Sequence, residues 1–353
     1  MDVNKNEFLL PNMIKGKVDT NNQEIFRYSI TTSDVLIART SETIKEIAYS
    51  SCLLENIANC TYSGFLLKAS PKIKNIIFPP YIVLLLRSQI YRKRLMKLST
   101  ETSRALINSD NLAKLIINIP KFEEQKEIWL FFNLLLKKIT ITEQKIQTLK
   151  KYKEGLVNNL LKPTVVNWKN GMKEGSKLSN FLVPYKQMAL NNNVYNHATL
   201  SKEGVVPKCE RYDRDFLVKD SNKRYRVTHL NDLIYNPANL KFGVICINKL
   251  GTVIVSPIYE TFKIINIDQI LLEAFLTSNT FINFSLKFEE GTVYERKAVS
   301  VEDFLNIKIC VKNINSQKFS LILKAIQTKN NILSDKLKVI KSLKSYLLFY
   351  MFI

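Results

Sequence analysis

The sequence predicts a mixed α/β (α+β) protein in which two similar globular domains are separated by two long antiparallel coiled-coil helices, a pseudo-twofold repeat. Three observations predict it. Two stretches carry apolar seams of identical heptad spacing, short motifs recur in the same order upstream of both seams, and the chain is long enough for two cores. Its 353 residues are 46% hydrophobic and 24% charged, a globular composition at a length that accommodates two or three ordinary domains.

In the first seam the inward positions are Ile128, Phe132, Leu135, Ile139, Thr142, Ile146, Leu149, Lys153, Leu156 and Leu160. In the second they are Phe319, Leu323, Ile326, Asn330, Leu333, Leu337, Ile340, Lys344, Leu347 and Met351. The two sets differ by a constant, 319 − 128 = 191. Steps of four and three put one apolar stripe on each helix, and two such stripes in one chain are natural partners. Asn330 either fixes register as a buried polar residue or turns to water.

Residues 1–119 read as the first domain, with strand-like runs at Val35-Leu36-Ile37, Phe65-Leu66-Leu67 and 115–119 and a helical run over 80–98. Pro120 followed by Glu123-Glu124-Gln125 opens the first long helix, since acidic residues in a first turn suit the helix dipole. That helix spans 120–162 and ends at Pro163. Residues 163–312 read as the second domain, with strands at Leu233-Ile234-Tyr235, 244–247 and Val253-Ile254-Val255 and a helix over 268–276; 313–353 form the second long helix.

The repeat extends upstream of the helices. Ser33-Asp34-Val35-Leu36-Ile37 matches Asn231-Asp232-Leu233-Ile234-Tyr235, Tyr62-Ser63-Gly64-Phe65 matches Tyr259-Glu260-Thr261-Phe262, and Leu86-Arg87 matches Leu276-Thr277. Residues 100–107 match 292–299, which sets Arg104 on Arg296. Order is kept while loop lengths drift. The first domain lacks a counterpart of Lys177-Leu178-Ser179-Asn180-Phe181; either the domains differ in design or the chain begins late.

Lys and Arg number 52 against 31 Asp and Glu, a net charge of +21. A surplus of that size attracts polyanions and favours nucleic acid as partner, with ordinary solvated faces as the alternative. The chain shows neither a transmembrane-length apolar run nor a signal peptide, so the expected compartment is cytoplasmic, with no membrane partner. Five scattered cysteines and two histidines offer no zinc spacing, no disulfide framework and little for imidazole chemistry.

The Asp-led strands, Ile117-Asn118-Ile119-Pro120 leading to Glu124-Gln125-Lys126, and the helix around Lys145-Ile146-Gln147 together resemble the DNA-specificity subunit of type I restriction-modification systems. The resemblance covers nearly the whole chain. It implies two target-recognition domains, each reading half of a split site on double-stranded DNA, and a helical spacer that docks methyltransferase subunits and a restriction subunit. It also implies no cofactor in this chain, with S-adenosylmethionine, ATP and magnesium on the partner subunits. Departures are the short N-terminus and a second helix opening, 311–317, without the proline and acidic pair.

Arginine forks suit guanine edges and either cation holds phosphate. The leading DNA face is therefore the basic segment with Lys208, Arg211, Arg214, Lys223, Arg224 and Arg226, interleaved with Tyr212 and Tyr225. Arg296 and Lys297 follow Gly291 in the second domain. Arg39 and Thr40, leaving the first Asp-led strand, and Arg104 complete the set. A charged loop that only solvates its domain, turn chemistry and structural ion pairs are the alternatives. Arg87, Arg92, Lys93 and Arg94 read first as a solvated helix face.

Two other classes compete. Phe78-Pro79-Pro80-Tyr81 is one residue from the Pro-Pro-aromatic motif of adenine-N6 methyltransferases, yet phenylalanine offers no oxygen to a flipped adenine, and there is no glycine-rich cofactor turn. A non-catalytic coiled-coil scaffold explains the seams but leaves the domains and the charge idle.

Overall fold

Asp34 begins the first sheet. Its carboxylate accepts the Thr31 backbone N–H at 2.8 Å and the hydroxyls of Thr31 and Ser70, pinning a tight turn ahead of a wholly buried strand. Asp232 does the same for the second sheet, accepting from the His229 N–H, Thr228 and Tyr185. The repeated aspartates are thus turn-setting residues, each closing its turn by accepting the backbone N–H three residues earlier.

The computed structural model describes residues 2–73, 75–101, 103–190, 194–201, 204–208, 224–290, 297–310 and 316–352. The chain divides into two units, Met1–Gln144 with Leu333–Ile353, and Lys145–Ile332. Among the described residues no helix is long and apolar enough to cross a membrane.

The first unit runs α1 (Asp2–Lys5), β1 (Phe8–Leu9), α2 (Asn22–Tyr28), β2 (Val35–Ala38), β3 (Thr40–Ser41), β4 (Ser50–Leu53), β5 (Leu66–Ala69), α3 (Pro79–Arg87), α4 (Gln89–Lys97), β6 (Thr100–Glu101), β7 (Ala105–Leu106) and α5 (Ser109–Ala113) into the long α6 (Phe122–Lys169). Its main sheet has the order β1-β4-β2-β5, and a smaller one the order β3-β7-β6. Side chains alternate across a strand. Val35 and Ile37 accordingly pack with α3 and α4, while Leu36 joins Val3, Leu9, Ile30 and Leu53 on the other face.

The second unit continues with β8 (Ser176–Lys177), β9 (Leu182–Tyr185), β10 (Ala198–Ser201), β11 (Gly204–Pro207), β12 (Arg226–Thr228), β13 (Leu233–Tyr235), β14 (Ile245–Ile247), β15 (Val253–Val255), β16 (Glu260–Ile264), α7 (Gln269–Leu276), α8 (Asn279–Ser285), β17 (Glu289–Glu290), β18 (Ala298–Val299), α9 (Val301–Asn306) and β19 (Lys308–Ile309). Its main sheet is β14-β13-β16-β9. Leu233 and Tyr235 face a core with Leu272, Phe281 and Phe304, and Ile234 faces the β10 and β15 layer. The C-terminal helix is Ser316–Tyr350.

The seams take shape residue by residue. Every first-seam position is buried or half-buried, and so is every second-seam position but Met351, whose place Phe352 takes. In the first unit Phe132 meets the Phe352 ring at 6.2 Å and Glu143 pairs with Lys341 at 2.7 Å, so numbers rise on one helix as they fall on the other. In the second unit Leu161 and Leu323 share a cluster. These are the residues that the offset of 191 places on Phe352 and Phe132. The seam lysines lie where a domain carboxylate approaches: Lys344 pairs with Glu7 at 2.6 Å, and burial lowers the Lys153 pKa while Glu273 opposes the fall. The Asn330 side-chain oxygen is buried without a partner among the described residues.

Several expectations need correction. The first helix runs past Pro163 to Lys169, because Thr164, Asn167 and Trp168 are buried; Trp168 stacks on Phe284 at 3.7 Å and donates to the Lys308 carbonyl. The helical run over 80–98 is two helices, broken at the extended, buried Ser88. Residues 115–119 form no strand. Their counterpart β19 has β8 as partner, whereas Ile116 of the first unit is exposed, and a strand needs a neighbour.

The missing counterpart of 177–181 is present after all. Phe8-Leu9-Leu10-Pro11 follows a short helix as Phe181-Leu182-Val183-Pro184 does, but the two enter opposite sheet edges. β1 runs parallel to β4, and β9 antiparallel to β16. Arg87 supplies the reason: its guanidinium donates to the carbonyls of Val3, Asn6 and Ser50, holding the N-terminal segment against β4. The matching Thr277 turns its hydroxyl to Glu273 of its own helix.

Candidate nucleic-acid interface

Arg39 leaves β2 at a crossing of three segments. Its N–H donates to the Phe65 carbonyl at 2.9 Å, and its own carbonyl accepts from Ile107 at 3.0 Å. Thr40 then pairs with Leu106 and Ser41 with Ala105, while β6 and β7 form a hairpin whose turn carries Arg104. Arg39, Thr40 and Arg104, far apart in sequence, thus occupy one small sheet. Both arginines are exposed and neither joins an ion pair among the described residues.

The second unit builds a similar hairpin from β17 and β18. Lys297 is exposed beside β18; Arg296 lies outside the described residues. So do Arg211, Arg214 and Lys223 of the basic segment, with Tyr212. At its ends, Lys208 is half-buried, its N–H on the His197 carbonyl at 2.9 Å, and Arg224 is exposed. Burial and then Lys208 lower the pKa of His197, whose ring meets Tyr225 edge-on at 4.7 Å.

Arg226 leaves the set of contacts. It is 3% exposed and forks onto Glu260 with bonds of 2.7 and 3.2 Å. Its position on β12, paired with β15, turns the side chain inward, and a guanidinium so placed requires a carboxylate. Arg87 and Arg92 are also structural rather than a solvated face. Both sit over the Tyr49 ring, at 4.8 and 4.7 Å, and burial lowers the pKa of each. Lys93 and Arg94 remain exposed.

A cluster absent from the sequence-based set is assembled by a bridge between Ser29 and Thr61. Arg27 lies over Tyr28, Tyr28 meets Tyr62 edge-on at 5.8 Å, and Lys68 lies over Tyr62. Cations interleaved with rings suit contact with nucleic acid, but the Arg27-Tyr28 pair lies far in sequence from Tyr62 and Lys68, so composition alone did not join them.

The near-miss Phe78-Pro79-Pro80-Tyr81 is used by the fold. The prolines occupy the first turn of α3, where a missing N–H costs nothing. The Phe78 N–H donates to Gln125, and its ring meets Phe122 and Trp129. Gln125, fully buried, also donates to the carbonyls of Ile76 and Pro120, which ties the start of α6 to the domain.

Residues 3–151 match the family model described as the type I restriction modification DNA specificity domain. Over this stretch the chain is similar to a type I DNA specificity domain. The matched stretch contains Arg39, Thr40 and Arg104 together with the opening of α6, so it carries both the exposed arginines and the Gln125 anchor. Among solved structures the chain is similar to the S subunit of a type I restriction-modification system from M. genitalium, with a TM-score of 0.57 and 13% identity over 91% of this chain and 83% of that one. At that identity the likeness is one of fold. The HsdS subunit from Thermoanaerobacter tengcongensis gives a TM-score of 0.42 at 12% identity over 90% and 80% of the two chains, too low for a further conclusion. No curated relative matches the chain.

Proposed function

We propose that this chain is the sequence-reading, non-catalytic subunit of a type I restriction-modification assembly in the cytoplasm, each unit reading one half of a split site on duplex DNA. The observation that carries this is the convergence of exposed Arg39 and Arg104 with half-buried Thr40 on one sheet of the first unit. Lys208, Arg224 and Lys297, with Arg211, Arg214, Lys223 and Arg296, are the proposed contacts of the second unit. The charge of +21 supplies attraction to phosphate independent of sequence. In place of an adenine-accepting oxygen the chain has Phe78, already engaged in the core, which disfavours an intrinsic methyltransferase.

On this reading, methyltransferase and restriction subunits bring S-adenosylmethionine, ATP and magnesium. Docking has a surface to use. Outside its seam, the C-terminal helix exposes Val339, Leu343, Tyr346 and Tyr350, and α6 exposes Leu130, Leu134 and Ile141. The steps of four, three and seven make a second stripe, suited to partner helices.

The test is to assemble the chain with a type I methyltransferase subunit and map the methylated adenines on DNA. A two-part motif that changes when this chain is exchanged for another specificity subunit is expected. Methylation that ignores the exchange refutes the assignment. Val339→Glu with Tyr346→Glu should abolish assembly and leave DNA binding by the isolated chain intact.

A further inference from the structure

The turns leading into β5 and β16 share a feature that folding does not demand. In the first unit the Leu66 N–H donates to the Ser63 carbonyl at 3.0 Å, which sets Gly64 and Phe65 at the tip. In the second the Tyr259 N–H donates to the Ser256 carbonyl at 3.1 Å, with Pro257 and Ile258 at the tip. Strand register makes these the same turn. Lys68 faces Leu36 and Thr261 faces Ile234, an offset of 261 − 68 = 193, so Phe65 answers to Ile258 and not, as the motif match has it, to Phe262. Phe262 is in the core, whereas Phe65 is 67% and Ile258 58% exposed.

Turn tips favour glycine, proline, asparagine and aspartate. A large apolar side chain held out in water at that position in both copies serves something other than packing. The surroundings say what. The Phe65 carbonyl holds the Arg39 N–H, so the ring stands beside the sheet of Arg39 and Arg104, where Glu42 and Glu101 are exposed as well. Two cations balanced by two carboxylates form a poor phosphate clamp. Base edges, with donors, acceptors and the thymine methyl group, match such a corner.

Resting on the DNA reading above, we propose that Phe65 and Ile258 are specificity-determining residues, each making an apolar contact with a thymine 5-methyl group in the major groove of the half-site its unit reads. The full chain, unaltered or carrying Phe65→Ala or Ile258→Ala, is incubated with a randomised duplex pool, and the bound fraction is sequenced. Phe65→Ala should lower the preference for thymine at one position of one half-site by about fivefold or more, and Ile258→Ala should do so in the other. Replacing that thymine by uracil should weaken the unaltered chain by the same factor and leave the alanine variant unmoved, an arm that needs no variant to fold. Affinity for scrambled duplex should not change.

Enrichment of an identical motif by all three chains, indifference to uracil, or a uniform loss on every sequence overturns the proposal. An unaltered chain that enriches no motif sinks the DNA reading itself, and this inference with it.

Discussion

Removing either partner of the Arg226 and Glu260 pair tests whether Arg226 is structural. Unit charges 2.7 Å apart attract by on the order of 6 kcal/mol at an effective dielectric of ~20, and desolvation offsets most of that. What a substitution measures is therefore the cost of stranding the survivor. Glu260→Ala strands a guanidinium that is 3% exposed and whose Nε has no partner among the described residues, so a loss of about 4 kcal/mol is expected. Arg226→Ala strands a carboxylate whose side chain is 28% exposed, which water partly repairs, for a loss of about 2 kcal/mol. The double replacement Arg226→Met with Glu260→Leu should come back to within about 1 kcal/mol of the native protein. Hydrogen exchange of the β12 and β16 amides is the suitable assay, because a chain of two units need not unfold in one step. If Arg226→Ala leaves those amides as protected as before and instead flattens the slope of log K against log salt by about one, Arg226 is a phosphate contact and the structural assignment fails.

Phe132→Ala should cost about 3–5 kcal/mol, because the ring is fully buried against Phe352, while Phe131→Ala, at an exposed neighbouring position, should cost less than about 1 kcal/mol; comparable thermal shifts for the two would mean that the seam is misplaced. Burial lowers the Lys153 pKa, so between that lowered value and the ordinary 10.5 the unfolded chain holds the extra proton and stability rises with pH. Because the raised thiols of Cys52 and Cys246 pull stability the other way above about pH 9, the measurement is the difference in stability between the native chain and Lys153→Met, which should rise with pH over that window; parallel pH profiles would contradict the assignment. Burial pushes the Cys52 and Cys246 thiols up to about 12, so neither should react with a thiol reagent at neutral pH until the protein unfolds; rapid labelling of the native chain at either position would show that its strand is open.

Much of the architecture was legible in sequence because its signals are periodic. The seams follow from a 3.5-residue repeat that a helix must present on one face, and the shielding of Phe132, Leu160, Leu323 and Ile340 follows from it. The Asp34 and Asp232 turns were legible because an aspartate ahead of an apolar run has few structural uses. The site was less so. Arg226 and Arg224 are two residues apart and read alike, yet one is buried on Glu260 and the other exposed, a difference set by the facing strand.

What the sequence by itself determined is the order of parts, the two seams, the excess of positive charge and the resemblance that fits them. Tertiary structure alone decided which edge of each sheet the Phe-Leu-x-Pro strand joins, since that depends on Arg87 reaching the carbonyls of Val3 and Asn6 in one unit where Thr277 stands in the other. It also decided that Arg39, Phe65 and Arg104 meet at one corner. Periodicity is a property of neighbours along the chain, whereas the fate of a charge or an exposed ring depends on segments that only folding brings beside it.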